Sequence, residues 1–437
     1  MTIESYVQDF ERHAANGGGQ AAWLMPIRRN AIDRFREAGF PDRKDEDWKF
    51  TNVAKLARTV LPRLAAPAEP PAVADLEDFL IGHRKWPRIV FVNGHYVEAL
   101  STLDELPSGV TVQTIAEAMA DRPEFLMEHL TKAAPIDGNS FTALNTAFMA
   151  DGLVVHVARE TVVEHPIHVL YATDPSVGEG VSYPRTLVVL EPQARAAMVE
   201  SYVGLSDGMY FTNAVSEVSL AVGARLDHYK IQRESEQAFH IGTLEARQER
   251  DSHFESLSFA FGGAVSRTNI YTVLDGEGSN ATLNGLYVVH GDQHVDHQTR
   301  IEHTQPNCTS REVYKGILDD RSHGVFNGKV YVHPIAQKTD GKQTNQNLLI
   351  SPTAKVDTKP QLEIFADDVR CTHGATVGQL DEQAMFYCRS RGLSPAEAKT
   401  LLTYGFAADV LEQISSREVA TYLERLVMQR FLGTRSG

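Results

Sequence analysis

Cys371-Thr372-His373 places a thiol and an imidazole two residues apart. On an extended segment such side chains share one face, with α-carbons about 6.5 to 7 Å apart, so a single metal ion could take both. A thiolate beside an imidazole suits iron–sulfur chemistry or zinc. A structural zinc site needs four ligands and a stable cluster usually four cysteines, so the pair is an incomplete donor set. Either it packs, or the missing ligands come from another chain. Cys308 and Cys388 lie outside the motif, and Cys388 shares a predicted helix face with Met385, where core packing is the default.

His290, His294, His297 and His303, with Asp292 and Asp296 between them, form the densest group of possible metal ligands. On an extended segment His290 and His294 share a face while His297 points away, which is poor geometry for one ion. Solvated or hydrogen-bonded histidines on turns are the favoured reading. Other patterns fail on context. Gly204-Leu205-Ser206-Asp207-Gly208 matches a nucleophile elbow but is followed by the strand-like Met209-Tyr210-Phe211 where a helix is required. Gly324-Val325-Phe326-Asn327-Gly328-Lys329 is one residue short of a phosphate loop and continues with Val330. Gly276-Glu277-Gly278 lacks the third glycine and the helix of a dinucleotide fingerprint. No nucleotide site is expected on this chain.

These residues need elements to hold them. Trp23, Ile27, Ala31 and Phe35 recur at every fourth position before Gly39 and Pro41, which predicts an N-terminal helix and its stop. Ala65-Ala66-Pro67-Ala68-Glu69-Pro70-Pro71 reads as a linker. Ile89-Val90-Phe91-Val92 before Asn93-Gly94 predicts a hairpin, because Asn-Gly supplies the positive φ of a tight turn. From about Gly152 to Val369 the texture becomes short β-branched runs broken by Gly, Asn, Asp and Ser. Ala224-Arg225-Leu226-Asp227, Ala281-Thr282-Leu283-Asn284, Gly324-Val325-Phe326-Asn327 and Ala354-Lys355-Val356-Asp357 share a small–any–apolar–Asx pattern. Their recurrence suggests stacked coils of a β-solenoid with the apolar residue inward and Asx at a corner, favoured modestly over a β-sandwich. The tail is helical again. Ser394-Pro395-Ala396-Glu397 is a capping box leading into Leu402, Phe406, Val410 and Ile414, and Ser415-Ser416-Arg417-Glu418 is a second before an amphipathic stripe ending near Gly433.

The chain therefore divides into an N-terminal helical segment (1–64), a linker and mixed α/β region (65–150), a β-helix core (151–375) and a C-terminal helical domain (376–437). Its 437 residues, 42% hydrophobic and 23% charged, exclude disorder, and a net charge of −15 disfavours nucleic acid and anionic lipid. Three scattered cysteines exclude a secreted disulfide framework. Acidic residues Glu4, Asp9 and Glu11 stand where a signal peptide needs basic ones, and the apolar runs are too short to span a bilayer. A cytoplasmic, membrane-free protein is expected.

The run from Lys355 to Gly378, KVDTKPQLEIFADDVRCTHGATVG, closely resembles the signature of the SufB/SufD family of the SUF iron–sulfur cluster assembly machinery, on its SufD side. Tyr314-Lys315-Gly316-Ile317, Gly324 to Gly328, Lys338 to Gly341 and Thr344 to Leu349 are similar to the family's core, and Glu46-Asp47-Trp48-Lys49-Phe50-Thr51 to its N-terminal motif, with Phe50 in place of the usual Tyr. The resemblance implies a right-handed parallel β-helix between helical segments. It implies a non-catalytic scaffold that pairs with its paralogue SufB and binds SufC, an ABC-type ATPase, through C-terminal helices containing Leu402, Phe406 and Val410. The shared pairing surface of the paralogues leaves a homodimer open when the chain is isolated. The positions matching Cys371 and His373 lie near the SufB interface and are linked to a transient iron–sulfur cluster or iron, with SufB supplying further ligands. Two alternatives stand beside this: a metal-dependent enzyme on a β-helix using His290, His294 and His303, and a purely structural partner that does not touch iron.

Overall fold

The computed structural model describes residues 2–16, 21–83, 86–103 and 106–432. Between Arg88 and Gly378 the chain alternates between two ten-stranded sheets whose inward side chains share one core. Two strand pairings are antiparallel, Arg88–Val92 with His95–Tyr96 and Val110–Thr114 with Leu153–Val157. The repeating body is a parallel β-solenoid of about eight turns. The expected solenoid is thus the observed architecture, and the hairpin at Asn93 (φ 54°) and Gly94 (φ 81°) forms as the dipeptide requires.

The repeat that builds the solenoid is not the one visible in the sequence. Leu226, Leu283 and Phe326 do point inward and are fully buried. The Asx residues, however, lie within strands and not at corners. Asn284 is in the strand Asn280–Val289 and donates to Gln413, Asn327 donates to Gln298, and Asp357 accepts from His323. Leu226 and Leu283 belong to one sheet and Phe326 and Val356 to the other, which explains their unequal spacing. The pattern reports in–out alternation along a strand.

The true period sits at one corner. Gln193, Gly223, Asp251, Gly278, Asn307 and Lys338 all have positive φ. Each donates its backbone N–H to a carbonyl of the next turn, from Gln193 to Val222 through Lys338 to Asp368. The corner thereby continues the sheet's hydrogen bonding around the bend, leaving few polar groups unpaired. Side chains on successive turns then meet at separations of 28 (Arg247–Asp275), 29 (Arg321–Asp292) and 30 residues (Asn307–Glu277).

Helices cover the outer faces. The helix Leu24–Ala38 ends at Gly39 (φ 68°), as its stop signal predicts. Its apolar side, with that of Ser140–Phe148, packs on Phe211, Phe239 and Ile241 of one sheet. The helices Pro395–Leu411 and Arg417–Leu432 cover Tyr229, Leu257, Phe259 and Leu286 of the other. The Ser394–Glu397 capping box forms. The second cap is shifted by one: Ser416, not Ser415, accepts the Val419 N–H, while Ser415 bonds the Tyr229 hydroxyl. The end of that stripe at Gly433 lies outside the described residues. Among the described residues no helix is long and apolar enough to cross a membrane.

Candidate functional site

The two sheets end on Lys355–Ile364 and Arg370–Gly378, each bonded to a strand on one side only. Cys371 and His373 lie on the second of these. The register defines two inward columns along its sheet. Leu226, Phe254, Ala281, Ser310 and Gly341 lead up to Cys371, and His228, Ser256, Leu283, Glu312 and Gln343 lead up to His373. The pair therefore occupies the last rung of the interior face, where the core opens to solvent.

The two side chains sit in different surroundings. Cys371 is half-buried against Val330, Val332, Ala336 and Ala366. Burial pushes its thiol above the ordinary value, opposed by a hydrogen bond from the Gly341 backbone. A metal would have to displace that proton, so capture strengthens as pH rises. His373 is exposed and makes no side-chain hydrogen bond among the described residues. No group of three or more His, Cys, Asp or Glu side chains suited to a metal occurs among the described residues. The other thiols are committed to packing. Cys308 is buried at a corner, bonding Ser279 and the Gly276 carbonyl, and Cys388 is the buried residue of the helix Glu382–Ser390.

The histidines of the alternative enzyme reading are not brought together. His290 pairs with Glu236 at 3.3 Å. His294 contacts the Thr51 hydroxyl at 2.9 Å and the His323 ring at 3.2 Å. His297 is fully buried between the rings of Tyr287 and Tyr314 (centroids 5.2 and 5.1 Å), and His303 bonds Ser310 inside the core. Gly204 ends a strand and Gly208 precedes the next one, as the turn reading requires. Gly324–Lys329 lies inside the strand His323–Val332, an extended backbone that cannot curl around a phosphate.

These buried imidazoles carry a pH prediction. Burial lowers His168 and His297 to about 3 and His294 and His303 to about 4. Their folded values lie below the unfolded value of about 6.5, so the unfolded chain binds more protons between the two. The imidazoles' contribution to stability is complete above about pH 6.5 and falls as pH drops toward 4. Burial opposes the charge of Glu200, but His228, Thr186 and Ser216 outweigh it and hold the carboxyl at about 2. That group loses its contribution only below about pH 4.3. Glu245 and Glu312, which burial raises to about 8 and about 7, act oppositely and gain as pH falls, so the drop in unfolding temperature expected between pH 7 and 5 is the imidazoles' loss less that gain. His297→Phe, whose ring nitrogens have no partner among the described residues, should flatten that drop, and an unaltered pH profile in the variant would refute the assignment.

Sequence reasoning missed the interior polar pair and the contacts of the Trp48 motif. The Gln343 amide donates to Glu312 at 2.6 Å inside the solenoid, and burial pushes the Glu312 carboxyl up to about 7. In–out parity counted back from His373 would have found neither without the register. The Trp48 motif is a clamp on the outer face: Arg267 stacks on Trp48 at 3.7 Å and donates to the Asp47 carbonyl, and Thr51 donates to Asp296. Lys359, on the last strand of that sheet, pairs with Glu46 at 2.6 Å.

Of the expected SufC-facing residues, Val410 is fully buried in the chain's own core and Leu402 and Phe406 are half-buried. Lys315 lies over the Phe406 ring and bonds its carbonyl. Strict spacing of four overshoots a helical turn by about 40° per step, so these positions wind from a flank into the core. Among the described residues, the large apolar side chains exposed on the C-terminal helices are Leu401, Phe386 and Tyr387.

Comparison with known proteins gives a consistent picture. Residues 172–406 match the model of the SUF system FeS cluster assembly, SufBD core domain, and residues 2–169 that of the SufBD protein N-terminal region. The chain is 33% identical over 410 residues to the iron-sulfur cluster assembly protein SufD of Escherichia coli, covering 93% of each chain. It is 33% identical over 437 residues to an iron-sulfur cluster assembly SufBD family protein of Synechocystis, covering 98% of this chain and 96% of the relative. The SufD protein of Bacillus subtilis is 26% identical over 449 residues.

Proposed function

The chain belongs to the SufBD family of SUF-system iron–sulfur cluster assembly proteins, and on that premise we propose that it is a non-catalytic scaffold subunit that pairs with SufB and binds the SufC ATPase. Cys371 and His373 contribute ligands to a transient cluster or iron carried as cargo, and the partner completes the set. One observation carries this reading: a thiol and an imidazole share the last interior rung of a solenoid, on a strand with an open edge, without a third ligand among the described residues. A half-site of this kind holds cargo only when a second surface closes over it.

ATP chemistry belongs to the partner, and its motion reaches this chain through the C-terminal helices. Lys315 connects those helices to the solenoid, donating to Asp409 at 2.5 Å and to the Phe406 carbonyl. Co-expression with SufB and SufC partners tests the proposal. A complex that retains all three subunits and shows the visible absorption of an iron–sulfur cluster is expected. Failure of this chain to co-purify, or a cluster of undiminished yield without it, would overturn the scaffold role.

A further inference from the structure

Beneath His373 the interior holds buried polar atoms without partners, Gln343 Oε1 and Glu312 Oε1 among them. Gln343 is 1% exposed and stands directly below His373 in the register of adjacent strands. Neighbouring strands lie about 4.8 Å apart, within reach of an imidazole and an amide on the same face. The Gln343 amide nitrogen is committed downward, donating to Glu312 Oε2 at 2.6 Å. Its carbonyl Oε1 is buried with no hydrogen-bond partner. Glu312, itself 1% exposed, selects the NH2 end of the amide and so leaves the carbonyl free.

The opposite sheet makes room for this arrangement. Gly328 faces Gln343, and a Cβ at that position would come within 2.2 Å of the Gln343 amide nitrogen. A buried carbonyl without a donor is costly, by about 1–3 kcal/mol, and each such group in a folded protein calls for an explanation. Here the nearest side chain in the column able to supply a donor is His373.

Resting on the reading of Cys371 and His373 as ligands, we propose that Gln343, oriented by Glu312, is a positioning residue for His373: its free carbonyl accepts the imidazole N–H and leaves the other ring nitrogen's lone pair for metal. Metal-bound histidines ordinarily donate their second nitrogen to such an acceptor, which fixes both tautomer and ring orientation. In this column the acceptor comes from the strand below and is held by a third strand, so an imidazole that turns down onto it is held in one orientation.

The test uses the full chain labelled with 15N-histidine and long-range proton–nitrogen correlation spectra, with the His373 signals assigned by their loss in His373→Ala. One tautomer is expected in the unsubstituted protein and a mixture in Gln343→Met. Because that variant removes a donor from buried Glu312, the double variant Gln343→Met/Glu312→Gln is measured beside it, with the same mixture expected. A mixed tautomer in the unsubstituted chain, or a fixed one in both variants, overturns the proposal. Cobalt(II) added to the complex with its partners should then bind about tenfold more weakly with Gln343→Met, and unchanged binding would also overturn it. If instead His373→Ala leaves cobalt affinity unaltered while the tautomer is fixed by Gln343, the ligand reading fails and the hydrogen bond stands.

Discussion

Replacing His373 with alanine in the complex with SufB and SufC partners is expected to cut the recovered iron and sulfide about tenfold or more, with all subunits still associated. The expectation follows from the small number of donors. A shared site that draws two ligands from this chain loses half of that contribution with one substitution. His373 is exposed and supports no packing, so its loss leaves the fold intact. Cys371→Ser should act in the same direction with a modest added loss of stability, because its thiol packs against Val330 and Ala366. Cys308→Ser and Cys388→Ser are the controls, since their side chains are buried away from the last rung. Equal losses from all three cysteine variants would mean that the thiols matter only for folding. Undiminished iron and sulfide in His373→Ala would remove it from the site.

The largest effect on stability is expected from Glu217→Ala. Arg185 and Glu217 form an ion pair at 2.5 Å with neither side chain exposed to solvent. Glu217 also accepts the backbone N–H groups of Thr131, Ala133 and Ala134, and Arg185 donates to Asn145 and Thr146. One carboxylate therefore ties the loop before Ser140–Phe148 to the solenoid. Removing it leaves a buried guanidinium without a counter-charge and three N–H groups without an acceptor, a loss of about 3–5 kcal/mol. Urea unfolding followed by circular dichroism should show a lower midpoint, and limited proteolysis should cut within 131–139 first. A change below about 1 kcal/mol would show that water or a shifted acceptor replaces the carboxylate.

Much of the architecture was legible because its signals are local. Asn93-Gly94 needs only its own backbone freedom to mark a hairpin, and Ser394 with Glu397 needs only each other to mark a helix start. The β texture showed through as well, though alternation alone serves a β-sandwich equally, and the recurring units favour the solenoid only modestly without the family resemblance. The period stayed hidden for a physical reason. What repeats is a left-handed backbone corner, and Gln, Gly, Asp, Gly, Asn and Lys all occupy it because the N–H donated to the next turn, not the side chain, does the work.

The donor pair was legible as well, since Cys371 and His373 stand two apart in an extended run whatever the rest of the chain does. Their sequence dictates a common face, an unfinished ligand set and membership in a family whose signature surrounds them. Tertiary structure alone decided that this face is the interior of the solenoid, that it is the last rung, and that Gln343 and Glu312 lie beneath it. Those facts depend on register between strands some thirty residues apart, about one turn of the coil, and hydrogen-bond register is set by corners and packing that no short stretch of sequence contains. Local extension alone separated His290, His294 and His303, which lie along or just before one strand, His294–His303.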